Sequence, residues 1–233
     1  MKSKYIIGII GLTSLILKSK KYIALTPYKG TYDLRTETKM GNLKIGTAVL
    51  NLEIRNDQFE FTTEAKTESL WKALYDYFRS EKSIGNIIDG HIIISNFSVI
   101  EKIKSEVKKN YKLTIIDRNY VNSSTGKKWT IEPGNLVDQL SVYLALSIDI
   151  QKNPDQVEFI YQVAEEDGVE YQTFLVEGYQ TVTIEDNEIE TIVINCPELE
   201  LTLNLSIRDN LQPVKIHKIN GKTAFTMILV GFD

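Results

Sequence analysis

From residue 43 to 67, and again from 156 to the C-terminus, hydrophobic and polar residues alternate almost one by one. Phe59, Phe61 and Thr63 alternate with Glu60, Thr62 and Glu64; Val157, Phe159, Tyr161 and Val163 alternate with Glu158 and Gln162. The longest run sets Leu199, Leu201, Leu203, Leu205 and Ile207 against Glu200, Thr202, Asn204, Ser206 and Arg208. A period of two sends every second side chain to one face of a sheet. This run therefore predicts a strand with one dry and one wet face, as antiparallel sheets commonly have. Short polar pairs interrupt the runs: Asn56-Asp57, Asp167-Gly168, Asp186-Asn187 and Asn220-Gly221. They predict hairpins joining strands near 43–55 and 58–67, 156–165 and 169–176, 179–185 and 188–196, and 213–219 and 222–230. The C-terminal third reads as a continuous meander of about six strands.

A helical period breaks the alternation twice. Leu70, Leu74 and Phe78 lie four residues apart with Trp71 and Tyr75 beside them, which predicts a short helix over 69–79 with an apolar stripe. After Pro133-Gly134, the spacing of Leu136, Leu140, Tyr143 and Leu144 predicts a second helix reaching about Ile148. Asp138 falls in its first turn, where a negative charge suits the helix dipole, and Asp138 and Ser141 are expected to cap or brace the free N–H groups there. This helix is expected to plug the mouth of a curved sheet or to cover an open edge. The stretch Asn122–Gly126 reads as a loop inside the domain. The fold class is mainly β: an antiparallel curved sheet or partly open β-barrel with two short helices, one β-rich domain over 25–233.

Charge separates the first 24 residues from the rest. They hold five lysines (Lys2, Lys4, Lys18, Lys20, Lys21) and no acid, and the first carboxylate is Asp33. The remaining chain carries a net charge near −9. Lys2 and Lys4 precede the apolar run from Tyr5 to Leu17, the layout of a secretory signal and too short for a comfortable bilayer span. No small-x-small cleavage triplet and no lipobox cysteine follows. Residues 1–24 are read as a signal peptide or an N-terminal anchor; the competing reading is a first buried element of the domain. Periplasmic residence is expected, with an inner-membrane tether if the segment stays on the chain.

The acidic body argues against nucleic-acid binding and against adhesion to an anionic membrane, since both need a basic surface. Little catalytic chemistry is visible. His91 and His217 are the only histidines and Cys196 the only cysteine, without metal-ligand spacing, so no metal and no cofactor are expected. No nucleophile motif occurs. Glu165-Glu166-Asp167 reads as a solvated hairpin tip, and Cys196, just before Pro197, as a buried structural thiol. The expectation is a protein that is not an enzyme. Trp71, Tyr75 and Phe78, with Tyr143 on the second helix, are the candidate ligand-binding residues; the competing reading makes them helix-to-sheet core.

Four blocks in order carry a family resemblance. Tyr28 and Tyr32 lead to Ile45-Gly46-Thr47-Ala48; Leu70-Trp71 and Leu74-Tyr75 lead to Ser83-Ile-Gly85; then come Asp138-Gln-Leu140-Ser141 with Tyr143, and Leu211-Gln-Pro213-Val214 before Asn220-Gly221. In these blocks the chain resembles the bacterial envelope family catalogued as domain of unknown function 3108, over about residues 28–230. The resemblance implies an exported, strongly curved β fold and marks Asp138, Ser141 and Pro213 as structural positions. It implies no activity. Three functions stay open: a container for an apolar or lipid-like ligand, a structural or protein-interaction module of the envelope, and a hydrolase with an unrecognised site.

Overall fold

The structure, a computed structural model, describes residues 25–38, 41–220 and 223–232; the segment read as signal or anchor lies outside them. Among the described residues fifteen strands form one sheet. The first meander is β1 (Tyr28–Thr38), β2 (Gly41–Arg55), β3 (Gln58–Thr67), helix α1 (Ser69–Leu74), β4 (Tyr77–Ile88), β5 (His91–Ile103), β6 (Glu106–Ile116), β7 (Tyr120–Ser123) and β8 (Lys128–Thr130). Then come β9 (Leu136–Asp138) and helix α2 (Val142–Lys152). The second meander is β10 (Glu158–Ala164), β11 (Val169–Ile184), β12 (Asn187–Cys196), β13 (Leu201–Ser206), β14 (Pro213–Asn220) and β15 (Thr223–Phe232). Antiparallel pairing of β1 with β15 joins the two meanders, leaving β8 at one edge and β9 at the other.

The sheet rolls up on itself. Its edge strand β9, paired in parallel with β10, packs on the inside against β5. The outer seam is held by side chains: Gln162 bonds both the N–H and the C=O of Glu132, and the Tyr171 hydroxyl donates to Glu132 Oε2 at 2.9 Å. Helix α2 lies inside the roll. Val142, Leu144, Ala145, Leu146, Ile148 and Ile150 are all buried, so no side of the helix is wet, as expected of a helix surrounded by protein. Tyr161 ties its Asp149, and Lys152 reaches the carbonyl of Gly90 in the β4–β5 turn.

Tight turns make the roll compact. Asn56-Asp57, Asp89-Gly90 and Lys104-Ser105 each hold both residues at positive φ, the geometry that suits the twist of a two-residue hairpin. Gly85 is required by close approach, because a Cβ there would meet the Ile93 carbonyl oxygen at 2.2 Å. It sits where the β4–β5 register shifts.

The mainly β, curved and barrel-like architecture with two short helices agrees with the pattern reading. Its details differ in four places. The first helix ends at Leu74, and Phe78 belongs to β4. Leu70 and Leu74 do not form a buried stripe: they are 82% and 68% exposed, and Trp71 is the residue packed on the core. The second helix starts at Val142, because Leu136–Asp138 are drawn into the sheet as β9. The runs 169–176 and 179–185 form one strand, bent by a bulge before Gly178 (φ 130°) rather than by a turn.

Candidate functional site

Cross-strand register lays the inner face of β3–β6 out in rows. Phe61, Ser83, Phe97 and Leu113 form one row and are all fully buried. The next row is Thr63, Glu81, Val99 and Tyr111; the one after it is Ala65, Arg79, Glu101 and Lys109. Within four residues along the same strands, the lining changes from aromatic to ionic. α2 and Phe59 fill the first end, where a residual void beside Ile148 and Tyr161 is about 10 Å³. At the other end a cavity of about 480 Å³ remains, reaching the surface near Glu198, Glu200 and Ile219.

Two unlike walls bound this cavity. Leu34, Leu50, Ala65, Ile216, Phe225 and Met227, from β1–β3 and β14–β15, form an apolar wall. Opposite stand Arg79, Glu81, Glu101, Lys109 and Glu165. The Arg79 guanidinium donates to Glu81 and to Glu101, both at 2.5 Å, and to Gln139 Oε1 at 3.3 Å. All three ionic side chains are less than one-fifth exposed. Burial opposes the charge on Arg79, but the two carboxylates outweigh it and hold its pKa above the ordinary value.

Lys218 on β14 faces the same space and has no ion-pair partner among the described residues. Its exposed surface looks into the cavity. Burial in the surrounding wall, and then Arg79, lower its pKa against the pull of Glu81 and Glu165. One carboxylate oxygen of Glu165 is buried with no hydrogen-bond partner among the described residues. At the rim, Tyr75 stacks on Tyr77 with centroids 6.0 Å apart, and Tyr77 on Phe225 at 6.2 Å. Burial raises the pKa of both tyrosines and of Tyr143, so these phenols stay neutral.

Of the four candidate ligand-binding residues, Tyr75 and Tyr143 line the cavity. Trp71 packs on the core from α1, just ahead of the rim. Phe78 points to the outer face, its ring under Lys102 Nζ at 6.0 Å, because the alternation of β4 sends Tyr77 and Arg79 inward. Pattern reasoning missed Arg79, Glu101, Lys218 and Phe225. Arg79, Glu101 and Lys109 sit in one row only through the β4–β5 and β5–β6 register, which their spacing along the chain does not show.

The structural positions hold the cavity floor. Asp138 is fully buried; its Oδ1 accepts the N–H groups of Leu140 and Ser141, its Oδ2 accepts the Ser83 hydroxyl at 2.5 Å, and its own N–H donates to Ser141 Oγ. These bonds brace the segment leading into α2 and tie it to β4, whereas the expected capping of the helix's own first N–H groups is not made: Ser141 stands at the N-cap without a side-chain cap bond. Burial pushes the Asp138 carboxyl up to about 6, against the donors from Ser83, Ser141 and Leu140. Pro213 opens β14, and its carbonyl accepts the buried Tyr32 hydroxyl at 2.7 Å.

The remaining reactive groups are quiet. Burial pushes the Cys196 thiol up to about 11, and His217 Nδ1 shares a 2.9 Å hydrogen bond with Thr226. Glu165-Glu166-Asp167 is not wholly solvated as expected: Asp167 pairs with Lys127 at the surface, Glu166 lies 3.8 Å from the cavity-lining Lys109, and Glu165 turns into the cavity. Among the described residues no group of three His, Cys, Asp or Glu side chains is placed to hold a metal, and no helix is long and apolar enough to cross a membrane.

No family model matches the chain, and no curated protein matches it. Among solved structures it is similar to a beta-barrel-like protein of domain of unknown function DUF1849 from Brucella abortus, with TM-score 0.60 and 15% identity over 90% of this chain and 98% of that one. Identity this low speaks for the fold alone.

Proposed function

We propose that this chain is an exported, non-enzymatic envelope protein that holds an apolar or amphipathic ligand, such as a lipid or acyl chain, inside its rolled sheet. One observation carries the reading: a cavity of about 480 Å³ with an apolar wall facing an ionic one. Small-molecule sites run from roughly 300 to 1,000 Å³ and combine apolar lining with a few placed polar groups. The ligand's apolar part lies against Leu34, Leu50 and Met227, and its polar part faces Arg79, Lys218 and Glu165. Leu70 and Leu74, exposed on α1 beside the rim, offer an apolar approach to the mouth. Periplasmic export rests on the lysine-led apolar run at Tyr5–Leu17. Kinship with domain of unknown function 3108 rests on the four sequence blocks and belongs to the same reading.

The uncharged, environment-sensitive dye phenyl-naphthylamine tests it. Its fluorescence should rise and saturate at one dye per chain. Ala65→Phe, which fills the cavity from near the C-terminal end of β3, should weaken binding by about tenfold or more while leaving the fold intact by circular dichroism. Native mass spectrometry of the protein taken from membranes should show a co-purifying small molecule. Absence of saturable dye uptake, or equal uptake by a folded Ala65→Phe variant, would overturn the container reading.

A further inference from the structure

The β11–β12 hairpin outgrows both of its neighbours. β10 pairs with β11 only as far as Leu175, and the last bond on that side is Val176 N–H to the Val157 carbonyl. β13 pairs with β12 only from Thr191 onward. From Gly178 to Ile184, β11 is therefore bonded on one side alone among the described residues, as a seven-residue edge of sequence Gly-Tyr-Gln-Thr-Val-Thr-Ile. The two-residue loop Glu185-Asp186 closes on the pair Ile184 and Asn187. Because bonded and non-bonded pairs alternate in an antiparallel ladder, the N–H and C=O groups of Thr183 and Thr181 point away from β12. Both threonines and Tyr179 are exposed, Tyr179 by 76%.

Proteins blunt such edges with lysine, proline or a cover, because an open edge templates pairing with another chain. This one has no charge and no proline along its length. What surrounds it is acid: residues 177–190 carry Glu177, Glu185, Asp186, Glu188 and Glu190 and no cation. Register places Thr181 opposite Glu190 and Thr183 opposite Glu188, so carboxylates flank the open edge on the same face. Among the described residues the one ion pair made by these carboxylates is that of Glu190 with Arg208, at 3.7 Å. A second copy would bring the same carboxylates, and like charges brought together across a pairing interface are disfavoured.

We infer that the Gly178–Ile184 edge is a docking site for an extended, lysine- or arginine-bearing segment of another protein, which adds to the sheet as a strand beside β11. Main-chain bonds to Thr181 and Thr183 supply the affinity, and the acidic flank selects the basic partner and rejects self-pairing. None of its residues lines the cavity, so the site stands whether or not the cavity binds a ligand.

The probe is a fluorescent peptide of alternating lysine and valine, compared with one of equal charge interrupted by prolines, both titrated onto the full chain. The regular peptide should bind and slow amide exchange at Thr181 and Thr183, and the interrupted one should not. Thr181→Pro removes one outward N–H and leaves the hairpin bonds in place, so it should weaken binding by about tenfold with an unchanged circular dichroism spectrum. Equal binding of the two peptides would reduce the site to diffuse charge attraction and overturn the proposal. So would unaltered exchange at Thr181 and Thr183, which is read on the native chain and does not depend on any variant. Concentration-dependent dimerisation lost in Thr181→Pro would mean that the edge pairs with a second copy, and would equally overturn it.

Discussion

The two ends of the roll are built on the same strands with opposite interiors. At one end Phe61 and Phe97 pack without measurable exposure beside a helix buried on every side. Four residues further along β3, Ala65 stands where Phe61 stood, and Arg79, Glu101 and Lys109 replace Ser83, Phe97 and Leu113 in the row. Backbone geometry is shared, so side-chain volume and the reach of α2 decide which end is filled. Voids of about 10 Å³ at one end and about 480 Å³ at the other measure the difference. A rolled sheet need not be filled along its whole length: one packed end can hold the shape, and the other is free to line a site.

The contrast can be broken first at the packed end. Phe97→Ala should cost about 3–5 kcal/mol, because it opens a cavity where the sheet cannot collapse, and urea unfolding will read it directly. At the open end the sensitive element is ionic. Arg79→Met leaves Glu81 and Glu101 side by side without their cation and should cost about 3 kcal/mol. Neutralising both in Arg79→Met/Glu81→Gln/Glu101→Gln should recover most of that loss. If the single change costs nothing, the trio does not organise the mouth.

Asp138 joins the two ends, and its titration sharpens the comparison. Its folded-state pKa of about 6 lies above the ordinary 3.8, so the protonated carboxyl is favoured by folding. Its contribution is fully present below pH 3.8 and is lost as pH rises through about 6. The difference amounts to about 3 kcal/mol. Asp138→Asn can still accept from Leu140 and Ser141 and donate to Ser83 Oγ. Its stability should therefore lack the fall between pH 4 and 6, as chemical denaturation at stepped pH will show. Phe78→Ala should have the smallest effect, about 1 kcal/mol or less, because the ring lies outside under Lys102. Dye uptake should not change. A loss of uptake would place Phe78 at the site after all.

The legible parts of the sequence were those where wet and dry faces differ. β2 and β3, β10 and β11, and β14 and β15 are separated in sequence by Asn-Asp, Asp-Gly and Asn-Gly, so those hairpins could be read off directly. The run 199–208 was less transparent: the strand covers only Leu201–Ser206, and Asn204 and Ser206 on its expected wet face are buried. β4 to β6 could not be read off. Their inner face carries Tyr77, Arg79, Glu81 and Ser83 on one strand and Glu101 and Lys109 on the next two, so inside looks like outside. The turn between β5 and β6 is Lys104-Ser105, which reaches positive φ without glycine or asparagine and gives no local signal. Phe78 was drawn into a helix by its spacing from Leu70 and Leu74; pairing with Lys66 and Lys102 in the sheet overrides that preference. Tyr75 and Tyr143 were within reach of pattern reasoning, whereas Lys218 was not, because its role depends on a wall built from β4, β5 and β10.

Local patterning settled the strand character, most hairpins, the two helical segments and the acidity of the body, because these depend on neighbours two to four residues apart. Closure of β1 on β15, the turning-in of β9, the burial of α2 and the emptiness of one end depend on residues up to two hundred positions apart. Only the packed chain could decide them, since which face of a strand is inside is set by what the sheet rolls around.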